Sequence, residues 1–233
     1  MSFKADIGVI GAMEDEVNEL ISLIENRESE TISGITFYRG TLFSKNVAVA
    51  KCGIGKVFAA LAAEVMILRY SPSLLVNTGV GGAIREGLCP CDVLVAESLV
   101  QHDMDTSAIG DPKGLVSGIN VVYFETDARA RSIVKEVAEE ENINCYVGRI
   151  ATGDKFISSF DDKEMIKRDF SADVCEMEGG AIAQVAYVNS TPIAVIRAIS
   201  DSADGVASMD YPTFLPIAVR YSSALTLGLI KRY

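Results

Sequence analysis

Apolar runs along the chain alternate with segments whose apolar residues recur at helical spacing. Residues 7–10 form a short apolar run that ends at Gly11, and apolar side chains then recur every three or four residues from Met13 to Ile24. A short continuous apolar run is typical of a buried strand, and the repeat that follows it is typical of a helix with one face in the core. The chain is therefore predicted to begin with a strand, a tight turn and a helix.

The same pattern continues to the end of the sequence. Further strands are predicted at residues 35–42, 46–51, 74–76, 93–96, 146–151, 174–175 and 193–199. Further helices are predicted at residues 56–70, 128–141, 163–170, 180–187 and about 213–230. Residues 103–119 are rich in Asp, Gly, Ser and Pro, which predicts a long loop of the kind that often carries function.

Apolar strands that alternate with helices predict one α/β domain over residues 1–233. The predicted architecture is a three-layer sandwich with a central mixed, mainly parallel sheet flanked by helices. No linker, repeat or low-complexity tract divides the chain. In such folds ligands bind beyond the carboxyl ends of the strands, so the residues that follow each strand are the candidates for function.

The amino-acid composition excludes several classes of function. The 233 residues include 21 Lys and Arg against 32 Asp and Glu, a net charge of −11, which argues against nucleic-acid binding and against docking on anionic membranes. The single histidine, His102, excludes three-histidine zinc sites and HExxH metalloproteases. An odd number of cysteines without CxxC spacing favours reduced thiols and a cytoplasmic protein. We expect neither a metal nor a cofactor, and chemistry that depends on carboxylates.

Two glycine-rich segments resemble nucleotide-binding loops but depart from them. Residues 53–56 end like a Walker A loop, yet Ala50 replaces its first glycine and Val57 replaces the magnesium-binding hydroxyl residue. Residues 79–82 follow a strand, yet Ile84 stands where GxGxxG has its third glycine. Tight turns and close approach of the backbone to a small ligand both remain open for these segments.

Three groups of acidic residues follow predicted strands. Residues 14–16 open the first helix, where the helix dipole favours negative charge, so capping and a place in the site are alternatives there. Glu176 and Glu178 lie where a strand passes into a helix, and Asp201 ends the last strand. Arg197 interrupts that strand, and a buried guanidinium needs an anionic or polar partner. Structural and catalytic pairing of Arg197 are equally compatible with this pattern.

Six short motifs occur in the order seen in one enzyme family. They are IGAMEDEV at 10–17, GIGKV at 53–57, NTG at 77–79, GDKFI at 153–157, EME at 176–178 and RAISD at 197–201. From about residue 5 to residue 230 the chain resembles bacterial 5′-methylthioadenosine/S-adenosylhomocysteine nucleosidases, which have the nucleoside phosphorylase fold. The resemblance implies hydrolysis of an N-glycosidic bond, with release of adenine and a 5-thio-substituted ribose, in methionine salvage and the recycling of S-adenosylmethionine by-products.

The resemblance also implies catalytic roles by position. Asp201 matches the general acid that protonates purine N7. Glu178, assisted by the backbone of Met177, matches the residue that binds the ribose hydroxyls and stabilises developing positive charge. Glu16 matches the carboxylate that orients and deprotonates the attacking water, with Arg197 beside it. Such chemistry requires an acid at the base, negative charge near the sugar, and carboxylates whose environments differ.

Binding residues are carried over in the same way. Phe156 resembles the ring stacked on adenine, the backbone of Ile157 the group that reads the purine edge, and Ser200 the support of Asp201. The remaining residues assigned to substrate binding are Met13, Ile54, Tyr211, Gly81 and, across a homodimer interface, Ile109. The loop around residues 103–112 is thereby expected to complete the neighbouring site. For the apolar residues, simple core packing is the alternative.

The chain departs from the family pattern at two places. Val80 stands where a small hydroxyl residue is frequent, and Gly179–Gly180 replace the commoner Ala-Thr after Glu178. His102 matches a segment near the site without a clear role.

Two other functions remain open at this point. A phosphorylase of the same fold would need arginines around an anion, and Arg85 is the only basic side chain near residues 79–82. A nucleoside-binding protein without activity is disfavoured by the three intact carboxylates. The sequence does not rank methylthio, homocysteinyl, deoxy and futalosine-type substrates.

Overall fold

The computed structural model describes residues 3–201 and 207–233, with side chains in the second segment described from Thr213 onward. The strands are β1 (Ile7–Gly11), β2 (Glu25–Ile32), β3 (Ile35–Leu42), β4 (Lys45–Lys51), β5 (Leu74–Ala83), β6 (Val93–Gln101), β7 (Phe124–Glu125), β8 (Cys145–Thr152), β9 (Val174–Glu176) and β10 (Ile193–Asp201). The helices are α1 (Glu14–Leu23), α2 (Lys56–Tyr70), α3 (Ala128–Glu140), α4 (Phe160–Phe170), α5 (Gly179–Val188) and α6 (Ala207–Arg232). Every predicted element is present, most with longer bounds.

The described strands form one mixed sheet in the order β10-β6-β8-β9-β5-β1-β4-β3-β2, with β7 paired to β6. Strand β10 also pairs with β5, so this part of the sheet closes on itself. Among the described residues, five of the ten pairings are parallel and five are antiparallel, so the sheet is mixed, as predicted, but not mainly parallel. Parallel pairing of β1, β5 and β10 brings their carboxyl ends to one edge.

Helices cover both faces of the sheet, which confirms the predicted three-layer architecture. One core cluster joins the sheet to α2 and α5, whose alanines allow the two helices to lie close together. A second cluster joins the opposite face to α1, α3 and α6. The segment Thr213–Arg232 of α6 is long and apolar enough to span a membrane by length and composition alone, but Leu225 and Leu229 are fully buried against the sheet.

Strand β2 was not predicted, and its sequence explains why. The residues Glu25–Ile32 are almost all polar and mostly exposed, because β2 lies at the edge of the sheet and pairs only with β3. Cross-strand polar contacts replace apolar burial there, including an ion pair between Arg39 and Glu28 at 2.6 Å.

Strand β5 extends seven residues beyond the predicted end at Val76, through buried polar positions. Asn77 Nδ2 donates to the Ile10 carbonyl at 2.9 Å, and the hydroxyls of Thr78 and Thr226 lie 2.9 Å apart. Because these groups are hydrogen-bonded, the strand continues into the region where the motifs converge. Residues 103–119 form the expected loop, interrupted by one 3-10 turn at Ser107–Ile109.

Candidate active site

A cleft of about 750 Å³, including its open mouth, lies where the carboxyl ends of β1, β5, β9 and β10 meet. It is lined by Ala12, Met13, Glu16, Ile54, Val80, Gly81, Gly82, Lys155, Phe156, Ile157, Cys175, Glu176, Met177, Glu178, Ser200 and Asp201. Four carboxylates and one lysine therefore supply the charged lining among the described residues. The position agrees with the rule that α/β folds bind ligands at the carboxyl edge of the sheet.

Ten of the residues assigned from the resemblance lie together in this lining. They are Met13, Glu16, Ile54, Gly81, Phe156, Ile157, Met177, Glu178, Ser200 and Asp201. Ile109 does not line the cleft of its own chain and is 82% exposed. The side chain of Tyr211 lies outside the described residues.

Glu16 both caps helix α1 and faces the cleft. Its Oε2 accepts hydrogen bonds from the backbone N–H groups of Ala12 and Met13 at 2.7 and 2.9 Å, and its Oε1 accepts one from Val80 N–H at 3.2 Å. Burial raises the pKa of Glu16, and these N–H donors oppose the shift. The Val80 backbone thus contacts the carboxylate at the position where the family often has a hydroxyl side chain.

A missing side chain on β5 makes room for Glu16. A Cβ on Gly79 would lie 2.6 Å from Glu16 Oε1, far inside van der Waals contact. The glycine at this position therefore permits the carboxylate to lie directly on the backbone of β5. The sequence analysis suggested that glycines at 79–82 could let the backbone lie close to a small ligand. At Gly79 the group that lies close to the backbone is the Glu16 side chain instead.

Glu178 lies at the amino end of α5 and is held from across the cleft. Its Oε1 accepts a hydrogen bond from the backbone N–H of Gly55 at 2.8 Å, which joins two motifs 123 residues apart. Burial, followed by the negative charge of Glu176, raises the pKa of Glu178 to about 7. The ionised form of such a carboxylate is stabilised when positive charge develops on a ligand beside it.

Asp201 is buried at the end of β10. Ser200 Oγ donates to Asp201 Oδ1 at 2.9 Å, and the ammonium Nζ of Lys163 lies 3.2 Å from Oδ2. The sequence analysis did not identify Lys163. A signal was nonetheless present, because Lys163 shares helical spacing with the buried residues Ile166 and Phe170 and so falls on the inner face of α4.

The structure corrects the placement of Arg197, which does not line the cleft. Its Nη2 donates to Glu176 Oε2 and to Asn77 Oδ1, both at 2.5 Å, and its Nη1 donates to the Ile196 carbonyl at 3.0 Å. The guanidinium is buried in the sheet, where an unpaired positive charge would be strongly destabilising. The carboxylate of Glu176 neutralises it. From this position Arg197 holds Glu176 directly, and its positive charge also opposes the rise in the pKa of Glu16 and of Glu178 that burial causes.

Glu176 in turn organises the turn that carries Glu178. Its Oε2 accepts hydrogen bonds from the backbone N–H groups of Glu178 and Gly179 at 2.9 and 2.7 Å, and its Oε1 accepts one from Thr152. The departure Gly179–Gly180 fits this arrangement, because Gly180 N–H donates to Thr152 Oγ1 at 2.7 Å and a Cβ on Gly180 would lie 2.8 Å from that oxygen.

A polar cluster that the motifs did not predict ties the loops at the cleft mouth together. Asp154 accepts from Lys56 N–H at 2.8 Å, while Asp103 accepts from Lys56 Nζ at 2.6 Å and from Asp154 N–H at 3.0 Å. These contacts fix the loop before α2 to the loop that carries Phe156. Phe156 and Ile54 stand at the mouth, 49% and 59% exposed.

His102 lies outside the cleft lining and is half-buried. None of the described residues is a hydrogen-bond partner of its Nε2, and burial lowers the pKa of the ring. The negative charges of Asp103 and Glu176 oppose this lowering of the His102 pKa. Within the described part of the chain, no cluster of three His, Cys, Asp or Glu side chains could hold a metal ion.

Comparison with known proteins agrees with the fold. The family model of the phosphorylase superfamily matches residues 6–231. A 5′-methylthioadenosine/S-adenosylhomocysteine nucleosidase of Staphylococcus haemolyticus is 38% identical over 97% of this chain and 99% of its own. One of Haemophilus influenzae is 37% identical over 97% and 98%. The chain thus belongs to the phosphorylase superfamily and, within it, to the 5′-methylthioadenosine/S-adenosylhomocysteine nucleosidase family.

Solved structures show the same likeness. The nucleosidase of Neisseria meningitidis in complex with methylthio-immucillin-A superposes with a TM-score of 0.93 at 33% identity, covering 97% of this chain and 99% of that one. The futalosine hydrolase of Helicobacter pylori superposes with a TM-score of 0.92 at 34% identity, covering 97% of both chains.

Proposed function

We propose that this protein hydrolyses the N-glycosidic bond of 5′-methylthioadenosine and S-adenosylhomocysteine, releasing adenine and a 5-thio-substituted ribose. The observation that carries the proposal is the convergence of Glu16, Glu178 and Asp201 on one cleft in three different settings. Glu16 is held by backbone N–H groups, Glu178 lies near another carboxylate, and Asp201 lies near an ammonium. Distinct settings allow one residue type to act as base, cation stabiliser and acid.

In this mechanism, the bond between the sugar and the base breaks as water attacks. Asp201 donates a proton to purine N7, so that the electron pair of the breaking bond leaves on a neutral base. Glu178 accepts hydrogen bonds from the ribose hydroxyls and stabilises the positive charge that develops on the ring. Glu16 accepts the proton of the attacking water. Phe156, at the mouth, is placed to stack on the adenine.

Water is favoured over phosphate as the nucleophile by the charges of the cleft. Its described lining contains four carboxylates and only Lys155 as a basic side chain, and Lys155 Nζ is paired with Asp162 at 2.8 Å. Arg85, the sequence candidate for phosphate binding, does not line the cleft and packs against the Tyr146 ring. An anion entering beside Glu16 would meet like charge and no arginine clamp.

The apolar residues Met13 and Ile54 of the cleft lining support a 5′-thioalkyl substituent as the group bound at the mouth. The related nucleosidases act on such thioethers by name, whereas a structural neighbour is a futalosine hydrolase. We propose that the reaction serves methionine salvage and the removal of S-adenosylmethionine by-products. The odd number of cysteines without CxxC spacing supports a cytoplasmic location as part of this proposal.

A homodimer is part of the proposal, with the loop around residues 103–112 completing the neighbouring site. Two features support it. Ile109, at the tip of that loop, is largely exposed, and helix α2 beside the mouth exposes Val57, Phe58 and Leu61. Light scattering should give the mass of two chains, and Leu61→Asp should yield a monomer with weaker substrate binding.

The deciding experiment is incubation of the purified protein with 5′-methylthioadenosine, with and without phosphate. Adenine and a reducing sugar should appear at the same rate in both, with no sugar 1-phosphate. Release that depends on phosphate would establish a phosphorylase. Tight binding of the nucleoside without release of adenine would establish a binding protein. Glu178→Gln should still bind the nucleoside but lose most of the turnover.

A further inference from the structure

Lys163 forms a buried ion pair with Asp201. The proposed mechanism gives this lysine no role. Its Nζ lies 3.2 Å from Asp201 Oδ2, and both side chains are 2% exposed. Asp201 lines the cleft and Lys163 does not, so, within the described part of the chain, the carboxyl group of Asp201 lies between the ammonium and the cleft. Helix α4 places it there, because Ile166 and Phe170 bury the same helical face.

Two other charged or titratable groups near Asp201, among the residues that the structure describes, are neutral or already paired. On β9, burial raises the pKa of Cys175 to about 12, so the thiol stays protonated. Glu176, also on β9, is paired with Arg197 of β10. Among the described residues, Lys163 is the cation that contacts Asp201 directly.

An ammonium at this position matters for the act of donating a proton. When a neutral carboxyl group gives its proton to a purine nitrogen, it becomes a carboxylate inside a site with little water. That negative charge is costly unless a positive group lies next to it. The Lys163 ammonium lies where this charge would appear, and it is in place before the reaction begins.

We propose that Lys163 is a positioning residue that enables Asp201 to act as the general acid, by stabilising the carboxylate that proton transfer leaves behind. The inference rests on the proposed hydrolase function. In the step, the O–H bond of Asp201 breaks and an N–H bond forms at purine N7, while the electron pair of the glycosidic bond passes to the base. The water that attacks the sugar gives its proton to Glu16, and exchange with solvent restores the proton on Asp201.

The test compares Lys163→Met with Lys163→Arg, using adenine release from 5′-methylthioadenosine. Methionine keeps the length of the side chain and removes the charge, whereas arginine keeps the charge. We expect Lys163→Met to lower kcat at least tenfold with KM changed less than threefold. The basic limb of its pH profile of kcat/KM should move to higher pH, because the positive charge next to the proton donor has been removed. Lys163→Arg should keep the limb near its native position.

Lys167→Met is the matched control, because Lys167 lies on the exposed face of the same helix in a surface pair with Glu86. It should leave kcat and the pH profile unchanged. If Lys163→Met does not fold, Lys163→Gln carries the same test with a neutral hydrogen-bond donor.

Two results would overturn the proposal. One is a fall in kcat with the basic limb unmoved, which would mean that Lys163 only packs the site. The other is native kinetics in the neutral variants. Failure of the native protein to release adenine from 5′-methylthioadenosine would instead contradict the hydrolase function itself, so the two failures are separable.

Discussion

Replacing Glu178 with glutamine should remove most of the turnover and at the same time stabilise the fold at alkaline pH. Burial and the charge of Glu176 raise the pKa of Glu178 from 4.5 to about 7, so keeping this group ionised costs folding free energy. Glutamine has nearly the same shape and carries no charge. Its carbonyl oxygen can still accept the Gly55 N–H that now lies 2.8 Å from Oε1.

The size and sign of the effect follow from the two pKa values. The interval between 4.5 and about 7 corresponds to about 3 kcal/mol, at about 1.4 kcal/mol for each pH unit. A raised pKa means that the folded state holds the proton more tightly than the unfolded chain does. The stabilisation is therefore full below pH 4.5 and is lost as the pH rises through about 7. Between pH 5.5 and 8 the native protein should lose about 2 kcal/mol that Glu178→Gln retains.

The measurement is urea unfolding of the native protein and the variant at pH 5.5 and pH 8. Taking the difference between the two proteins cancels the other titrating groups. Glu19→Gln, an exposed substitution on α1, is the control and should show no change of the difference with pH. A difference for Glu178→Gln that is the same at both pH values, or a variant less stable than the native protein at pH 8, would refute this electrostatic account of Glu178.

Other variants test the geometry around the carboxylates. Gly79→Ala should lower kcat about 100-fold, because its Cβ would lie 2.6 Å from Glu16 Oε1 and displace the base. Gly8→Ala is the control: its Cβ would also be crowded, by Met66, but Gly8 does not line the cleft, so kcat should stay unchanged. Arg197→Met should lower Tm by about 6 to 20 °C, because the buried carboxylate of Glu176 would be left without a positively charged partner. The double variant with Glu176→Gln should recover part of that loss in calorimetry, and strictly additive losses would contradict the pairing.

Apolar periodicity located all six helices and every described strand except β2 and the two-residue β7. Strand β7 buries Phe124 but is too short to show a repeat, whereas β2 buries little. Strand β2 is held by pairing with β3 and by polar cross-strand contacts, so its sequence carries no alternating apolar signal. The extension of β5 through Asn77 and Thr78 was missed for the opposite reason. These polar residues are buried, and they are tolerated because their partners, Ile10 and Thr226, come from distant parts of the chain.

The position of the cleft was predictable because parallel strands end at a common edge, and the short motifs follow those strands. The partners across the cleft were not predictable from local pattern. Gly55 and Glu178 are 123 residues apart, and the choice of Glu176 as the partner of Arg197 depends on the register of β9 and β10 in the closed part of the sheet. Lys163 is an intermediate case, since helical spacing indicates that it is buried but not what it contacts.

The net charge of −11 does not show which charged side chains face the cleft and which lie behind its lining. The carboxylates of Glu16, Glu178 and Asp201 face the cleft, whereas the cations Arg197 and Lys163 lie behind it. With the cations in front, the cleft would attract phosphate and repel a cationic sugar. With them behind, each cation stabilises a carboxylate while the surface presented to the ligand stays negative. This layering, more than the number of acidic residues, is what makes a ribosyl cation and a water nucleophile the chemistry that the cleft favours.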